Sequence, residues 1–445
     1  MKIVGILFIL LFCFESKSNI NFNAKSTTLE NGLRLIVVEN PRAPVVAQMM
    51  WYNFGSNIEQ RGKSGLAHFM EHLMFKGTKK FPNSYYSDYL SKIGGSENAF
   101  TSYDYTAYYQ IFPSQHLEKI IELEADRMNN LTLTKKNVEI EKKVILEERF
   151  QRIESDPSAQ LDESMRTVLF PNDYYGRPII GWKHEIENLS YDDVIDFYKE
   201  NYNPNNAILI LSGDIKFKNA KKLVNKYYKS IKSSQKIKLN KLNNPDLKTS
   251  TNVELSNENV KQQIWKRIYR TKSYNDSMTQ SIALDLGMKI LAGGTSSLLY
   301  EEFVNKKKIF SMVGGFFQGL TKGNGYIYFY AIPNKKVEQS EISDLLDKFI
   351  VQAIDEGISE EKLILEKKKY YFDSIYGMDG ILKPAEIIGE ALTIGLSLDD
   401  IENWNDKLDK INLEMVKKEL KEFSKNRNFV TGNLKNWDLF FYFFY

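Results

Sequence analysis

TKKNVEIEKKVILEE, residues 134 to 148, aligns without a gap on SEEKLILEKKKYYFD, residues 359 to 373, placing Glu141 on Glu366 and Glu148 on Asp373. YYQIFPSQHLEKIIELEADRM, just upstream of the first copy, echoes YFYAIPNKKVEQSEISDLLDKF upstream of the second. A duplicated strand and helix pair restricts the chain to two like units, because each copy must bury its own apolar face. At 445 residues the chain is also too long for one ordinary core. The expected fold class is therefore α+β, two homologous halves of about 200 residues, each an antiparallel-rich sheet packed with helices. The Lys/Asn/Ser-rich stretch SIKSSQKIKLNKLNNPDLKTSTN lies between them and reads as a linker. The expected divisions are a leader over 1–18, a first domain over 19–235, a linker over 236–250 and a second domain over 251–445.

The leader is read from Lys2, the apolar run Ile3 to Phe14 and the polar ESKSN that follows, the pattern of a secretory signal peptide cleaved near Ser18. That run is shorter than the roughly 17 to 25 residues that cross a bilayer, so no membrane span is expected after cleavage. The expected location is the periplasm or the exterior. Cys13 is the chain's one cysteine and follows the bulky Phe12, which argues against lipidation. The mature chain then has no thiol, so any metal must be held by nitrogen and oxygen. With 60 basic and 57 acidic residues the net charge is only +3, which gives no reason to expect a nucleic acid partner. The C-terminal LFFYFFY is too short to span a membrane as a helix and reads as a buried terminal strand.

RLIVVENP, APVVAQMMWYNFG, TAYYQIFP and NAILILSGDI read as strands, and SQHLEKIIELEADRM as a helix. Thr134 opens a long amphipathic helix, with Val138, Val144 and Ile145 expected to face the core. The chemistry concentrates in GLAHFMEHLMFKGT, residues 65 to 78, a helix expected to be capped by Ser64 and ended by Gly77. It holds two of the chain's four histidines. His68 and His72, four apart, share one helix face, and Glu71 flanks them. Leu66, Phe69, Met70, Leu73 and Met74 imply that the helix is buried, where three ionisable groups are costly unless a metal draws on them. Zinc suits two neutral imidazoles and needs a third protein ligand plus an open position. The glutamate beside them would then move a proton rather than bind the metal. His116 and His184 sit in polar settings. The long helix offers Glu141, Glu147 and Glu148; Glu141 and Glu148 share a stripe, while Glu147 projects about 100° from Glu148. Glu147, Glu124 and Glu139 read as a solvated acidic face.

His68-Phe69-Met70-Glu71-His72, followed after the helix by Gly77-Thr78, resembles the inverted zinc motif of the pitrilysin/insulinase family of metallopeptidases, which includes insulin-degrading enzyme and the mitochondrial processing peptidase. The resemblance covers nearly the whole mature chain and implies one zinc ion per chain. In the family the third ligand is a glutamate within a segment like ExxVxxEE, which falls here on Glu148 of EKKVILEE, and Glu141 matches an additional acidic residue that supports the zinc site. Glu71 matches the catalytic glutamate. GGSENAFTSYDYTAYY resembles the segment that forms a substrate-pairing edge strand, which makes Asn98 and Ala99 the substrate-binding candidates by strand addition. YYGRPIIGW and NYNPNNAILILSGDI resemble family landmarks with packing roles. The implied activity is that of a zinc endopeptidase acting on peptides or unfolded short proteins within a clamp-like chamber.

The second half departs from the family pattern. Where members carry an arginine and a tyrosine that close over the substrate, this chain has Val304 and Phe310, and Leu298 replaces an earlier arginine. Neither Val304 nor Phe310 can donate a hydrogen bond. The counterpart of the histidine helix, near ALDLGMKILAGGT, has no histidine. The resemblance thus implies a zinc-bearing subunit paired with a homologous subunit that carries the Arg/Tyr pair, or a homodimer. Two other readings are a non-catalytic scaffold or adaptor descended from peptidases, and a metal carrier or sensor. Intact His68, Glu71, His72 and Glu148 argue against a scaffold.

Overall fold

Runs of β-branched and aromatic residues such as RLIVVE and VVAQMMWY suit a pleated layer covered on both faces. In the computed structural model, which describes residues 22–234 and 244–436, each becomes a strand. The first half builds a sheet from β1 (Lys25–Thr28), β2 (Arg34–Glu39), β3 (Val45–Tyr52), β4 (Ser96–Thr101), β5 (Thr106–Pro113) and β6 (Ala207–Gly213), in the order β1-β2-β6-β3-β5-β4. The second builds β7 (Thr251–Asn257), β8 (Ile264–Thr271), β9 (Phe310–Gln318), β10 (Gly325–Pro333) and β11 (Phe429–Asn436), in the order β7-β11-β8-β10-β9.

The two sheets repeat strand for strand. β2 pairs parallel with β6 as β7 does with β11, and the remaining pairs after those are antiparallel in both, so the first sheet differs by the added edge strand β1. The helices repeat too. Lys135–Arg149 is capped by the Thr134 side chain and Glu360–Asp379 by that of Ser359, the two residues that the sequence alignment superimposes. Glu141 and Glu366, which the same alignment superimposes, are both buried.

Each half covers one face of its sheet with its own helices and the other face with a helix lent by its counterpart. Pro157–Leu169, from the first half, sets Leu161 and Met165 among Ile268, Val430 and Leu434 of the second sheet. Lys383–Ile394, from the second half, sets Ala385, Ile388 and Leu392 among Ile36, Trp51 and Ile210 of the first. A Cβ at Gly389 would lie 2.0 Å from the Trp51 ring, so that helix can approach only because a glycine stands there. Cover on both faces explains why β3 is buried almost continuously instead of alternately. Burying each such side chain contributes about 1.5–3 kcal/mol as an upper estimate, so the exchange ties the halves together more strongly than exposed ion pairs could.

The packing therefore crosses the expected boundary between domains. Residues 1–18, 236–243 of the linker and LFFYFFY lie outside the described residues. Among the described residues no helix is long and apolar enough to cross a membrane. Three local expectations change. The histidine helix starts after Gly65, and Ser64 spends its hydroxyl on the Trp182 amide. Val144 is exposed while Val138 and Ile145 are fully buried. Glu124, read as solvated, is fully buried beside Arg127, which donates to it, and that pairing offsets the cost of burying either charge alone.

Candidate active site

The histidine helix, Leu66–Leu73, continues as a single tighter turn over Met74–Lys76 before Gly77 turns the chain away. Its entry is built from carboxylates. Glu59 accepts from the Ala67 amide at 2.8 Å and the Gly65 amide at 3.1 Å, and Glu185 accepts from the Ser64 amide at 2.7 Å. Carboxyl oxygens there accept from amides that the helix itself cannot satisfy. Gly65 and Gly181 both have positive φ, and a Cβ on either would lie 2.4 Å from a carbonyl oxygen of the other chain segment. The landmark YYGRPIIGW thus presses directly on the helix entry.

The helix turns His68 and His72 toward Lys135–Arg149. Glu148 Oε2 lies 3.3 Å from His72 Nε2 and 3.8 Å from His68 Nε2, and one ligand atom from each of the three residues falls within 4.8 Å of the others. Around a tetrahedral zinc with bonds of about 2.0–2.2 Å, ligand atoms sit roughly 3.3–3.5 Å apart, so small side-chain adjustments bring this set onto one ion. Glu141 Oε1 lies 2.9 Å from His72 Nδ1 and its Oε2 lies 2.5 Å from Lys76 Nζ. Accepting from Nδ1–H leaves Nε2 of His72 as the lone-pair donor, the arrangement a metal-binding imidazole requires. The residues present fit a zinc ion.

The electrostatics agree. Burial and the neighbouring His72 push His68 down to about 4. Burial also works against charge on His72, yet the Glu141 and Glu148 carboxylates hold it up at about 9. Glu141 is drawn down to about 2, first by His72 and then, against burial, by Lys76. The cluster thus demands positive charge, which a bound divalent cation supplies in place of a proton.

Glu71, half-buried, accepts from Thr101 Oγ1 at 2.6 Å. Burial raises its carboxyl. Thr101 ends β4, which is the free edge of its sheet. On that edge Asn98 is exposed, and its Oδ1 accepts the Ala99 amide at 2.8 Å, so this backbone donor is not committed to β5. The structure thus brings His68, His72, Glu148, Glu141 and Glu71 together and sets Asn98 and Ala99 on the strand that leads to them.

Sequence reasoning missed Glu59, Glu185, Lys76, Thr101 and Arg152, the last of which donates to Glu148 Oε1 at 3.0 Å. An acidic residue shortly before a helix is a readable signal for Glu59, whereas the others come from distant segments or a following turn. His116 binds the Tyr89 hydroxyl and His184 is exposed, so neither joins the site. In the second half, Phe310 is buried in the core at the start of β9 and Val304 packs against that core, so neither presents a polar group.

Profiles of known families match this chain in two blocks. Residues 34–182 match the insulinase family, peptidase family M16, and residues 188–370 match the peptidase M16 inactive domain. Zinc protease PqqE of Helicobacter pylori is 30% identical over 332 residues, which cover 73% of this chain and 74% of that protein. This chain belongs to peptidase family M16. Another M16 relative, the mitochondrial-processing peptidase subunit beta of Blastocladiella emersonii, is 31% identical over 189 residues, 42% of this chain and 40% of that protein. The crystal structure of a protease from Helicobacter pylori shares the fold with a TM-score of 0.85 at 24% identity, covering 93% of this chain and 99% of that one. The M16 architecture of two like halves is thus common to both.

Proposed function

We propose that this M16 chain is a zinc-dependent endopeptidase of peptides or unfolded short proteins, exported by its apolar leader and completed by a second subunit of the same family. The observation that carries the reading is the convergence of His68 Nε2, His72 Nε2 and Glu148 Oε2 beside a glutamate tethered to a free sheet edge. Zinc held by those three residues would supply a Lewis acid for the peptide carbonyl and a water of lowered pKa.

The chain's own residues do the rest. A peptide added along β4 pairs its backbone with the edge, with the Ala99 amide as one donor, and so carries its scissile carbonyl toward Glu71. Thr101 fixes Oε2 of Glu71, leaving Oε1 to take the proton of the attacking water and return it to the departing amine. Glu141 and Lys76 lock the ring of His72. Val304 and Phe310 offer no donor to the substrate's carbonyls, which supports a partner carrying the Arg/Tyr pair, a heterodimer in preference to a homodimer. A non-catalytic scaffold would gain nothing from Glu71 and its threonine.

The test is cleavage of a mixed peptide library by the zinc-loaded mature chain, alone and with a homologous subunit that bears the Arg/Tyr pair. Glu71→Gln is expected to abolish cleavage while bound zinc stays stoichiometric. Turnover that survives this substitution would sink the mechanism, and a chain that binds zinc yet cuts nothing in either setting would sink the peptidase reading.

A further inference from the structure

Beside the candidate active site a cleft runs through the first half to its border with the second. One lobe, of about 280 Å³, is lined by Tyr103, Arg152, Asp162, Arg166 and Arg177 among others. A second, of about 360 Å³, is lined by Tyr103, Arg166, Gln318 and Tyr326 among others. The lobes share Tyr103, Arg166 and Ile179. At one end Arg152 links the cleft to Glu148. At the other, Gln318 and Tyr326 belong to β9 and β10 of the second half.

The acids in this cleft are already committed to other partners. Asp162 accepts from Lys266 at 2.8 Å and Tyr328 at 2.9 Å, and Glu163 takes both of its bonds from Arg149, at 2.9 and 3.0 Å. Asp104 accepts from Tyr175 at 2.7 Å, from Asn57 at 3.2 Å and from the Lys322 amide at 3.0 Å. Arg177 donates to the backbone carbonyls of Glu59 and Gln60, which carry no charge. Arg166 is the exception. Among the described residues it forms no ion pair, its guanidinium stacks on Tyr326 at 4.4 Å and Tyr103 at 5.6 Å, and its Nη1 is sheltered from solvent with no hydrogen-bond partner. A buried cationic donor left open is costly unless something supplies an acceptor.

We infer that this cleft is a carboxylate-binding subsite in which Arg166, with Arg152 at the mouth, receives a carboxylate of the bound peptide. The inference rests on the peptidase reading above. Tyr103 stands two residues beyond Thr101 in the turn that joins β4 to β5, so even a fully extended chain, at about 3.3–3.6 Å per residue, would put the cleft no more than roughly 7 Å from the Glu71 contact. The carboxylate therefore belongs to a residue within two or three positions of the scissile bond. It is either an Asp or Glu side chain or the C-terminal carboxylate of a short peptide, and guanidinium geometry accommodates both.

The experiment compares four peptides of one sequence, with Glu throughout or Gln throughout at the positions within about three residues of the cut, each with a free or an amidated C-terminus. Cleavage is read as kcat/KM on the zinc-loaded chain with its partner subunit, and binding by fluorescence anisotropy on the Glu71→Gln chain. One carboxylate is expected to favour both by about 10- to 100-fold. Arg166→Met should bring that ratio close to one, and Arg166→Lys, which keeps the charge, should retain part of it. A dependence on Glu identifies a side-chain subsite and a dependence on the free terminus identifies a terminus-reading one. Equal values for all four peptides, or a preference unchanged in Arg166→Met, would overturn the inference. Loss of all turnover with the binding preference intact would count against the peptidase reading and leave the subsite standing.

Discussion

The histidine helix and its counterpart in the second half occupy the same place in the same topology and solve opposite problems. Superimposing Gly77-Thr78 on Gly294-Thr295 sets His68 against Asp285, Glu71 against Met288 and His72 against Lys289. Both helices pack on the long helix whose buried glutamate, Glu141 or Glu366, is shared by the repeat. In the first half two imidazoles face Glu141 and Glu148, which Lys76 and Arg152 neutralise on their outer sides only, leaving Glu148 Oε2 beside the imidazoles for a cation. In the second the cation is part of the chain: Lys289 lies 4.7 Å from the Tyr370 ring, and Asp285 accepts from Tyr370 and Tyr274. Burial pushes the Asp285 carboxyl up, its tyrosine donors and Lys289 pull it down, and the cluster closes on itself. One scaffold therefore holds either a candidate metal site or an internal polar network, with an imidazole four residues along the helix in the first and an ammonium in the second.

The strongest way to break this comparison is to import the second-half solution. His72→Lys should leave Glu141 and Glu148 neutralised by an ammonium, so the fold is expected to survive while bound zinc falls to near zero. Peptide cleavage should drop by at least about a thousandfold, because both the Lewis acid and the acidified water are lost. Metal analysis and circular dichroism on the same sample decide the matter. Zinc retained at one per chain would show that His72 is no ligand, and an unfolded product would show that the two solutions are not exchangeable. The converse substitution is gentler. Asp285→Ala leaves the Tyr274 and Tyr370 hydroxyls without their acceptor, at a cost of about 2–4 kcal/mol. A lower Tm with zinc content unchanged is expected. A fall in zinc content would mean that the halves are coupled through more than packing.

The comparison also shows what one sequence reveals. The duplication, the strands, the Thr134 cap and the His68/His72 pair were legible because each is a local pattern: a run, a cap or an i, i+4 spacing. The M16 resemblance then pointed to Glu148 and Glu141, which the structure sets beside those histidines. Helix exchange left no such mark, because Pro157–Leu169 and Lys383–Ile394 are amphipathic whichever sheet they cover. Glu124 was misread for a related reason: a charged residue on an amphipathic helix suggests solvent, and only the placement of Arg127 three residues on, with both chains against the core, reverses that. Val144 sits in the stripe of Val138 and Ile145 but is left uncovered, since how wide a helix face is buried depends on the neighbours it meets.

The smallest effect concerns how the two helices begin. Met278–Ala292 is capped by the uncharged Ser277 side chain, whereas Leu66–Leu73 is entered beneath the carboxylate of Glu59. Burial pushes Glu59 up to about 8 against the pull of the Ala67 and Gly65 amides. With its folded-state value raised above the ordinary 4.5, the folded chain keeps a proton that the unfolded chain has already released. Stability contributed by this group is therefore full below about 4.5 and is lost as pH rises toward 8, with a slope no greater than about 1.4 kcal/mol per pH unit. Glu59→Gln keeps one acceptor for the helix entry and cannot titrate, so denaturant midpoints measured from pH 5 to 8 should show a flatter slope than the parent chain. An unchanged slope would mean that Glu59 stays ionised throughout, held by its amide donors, and that the histidine helix is capped by a permanent charge where its counterpart uses a hydroxyl.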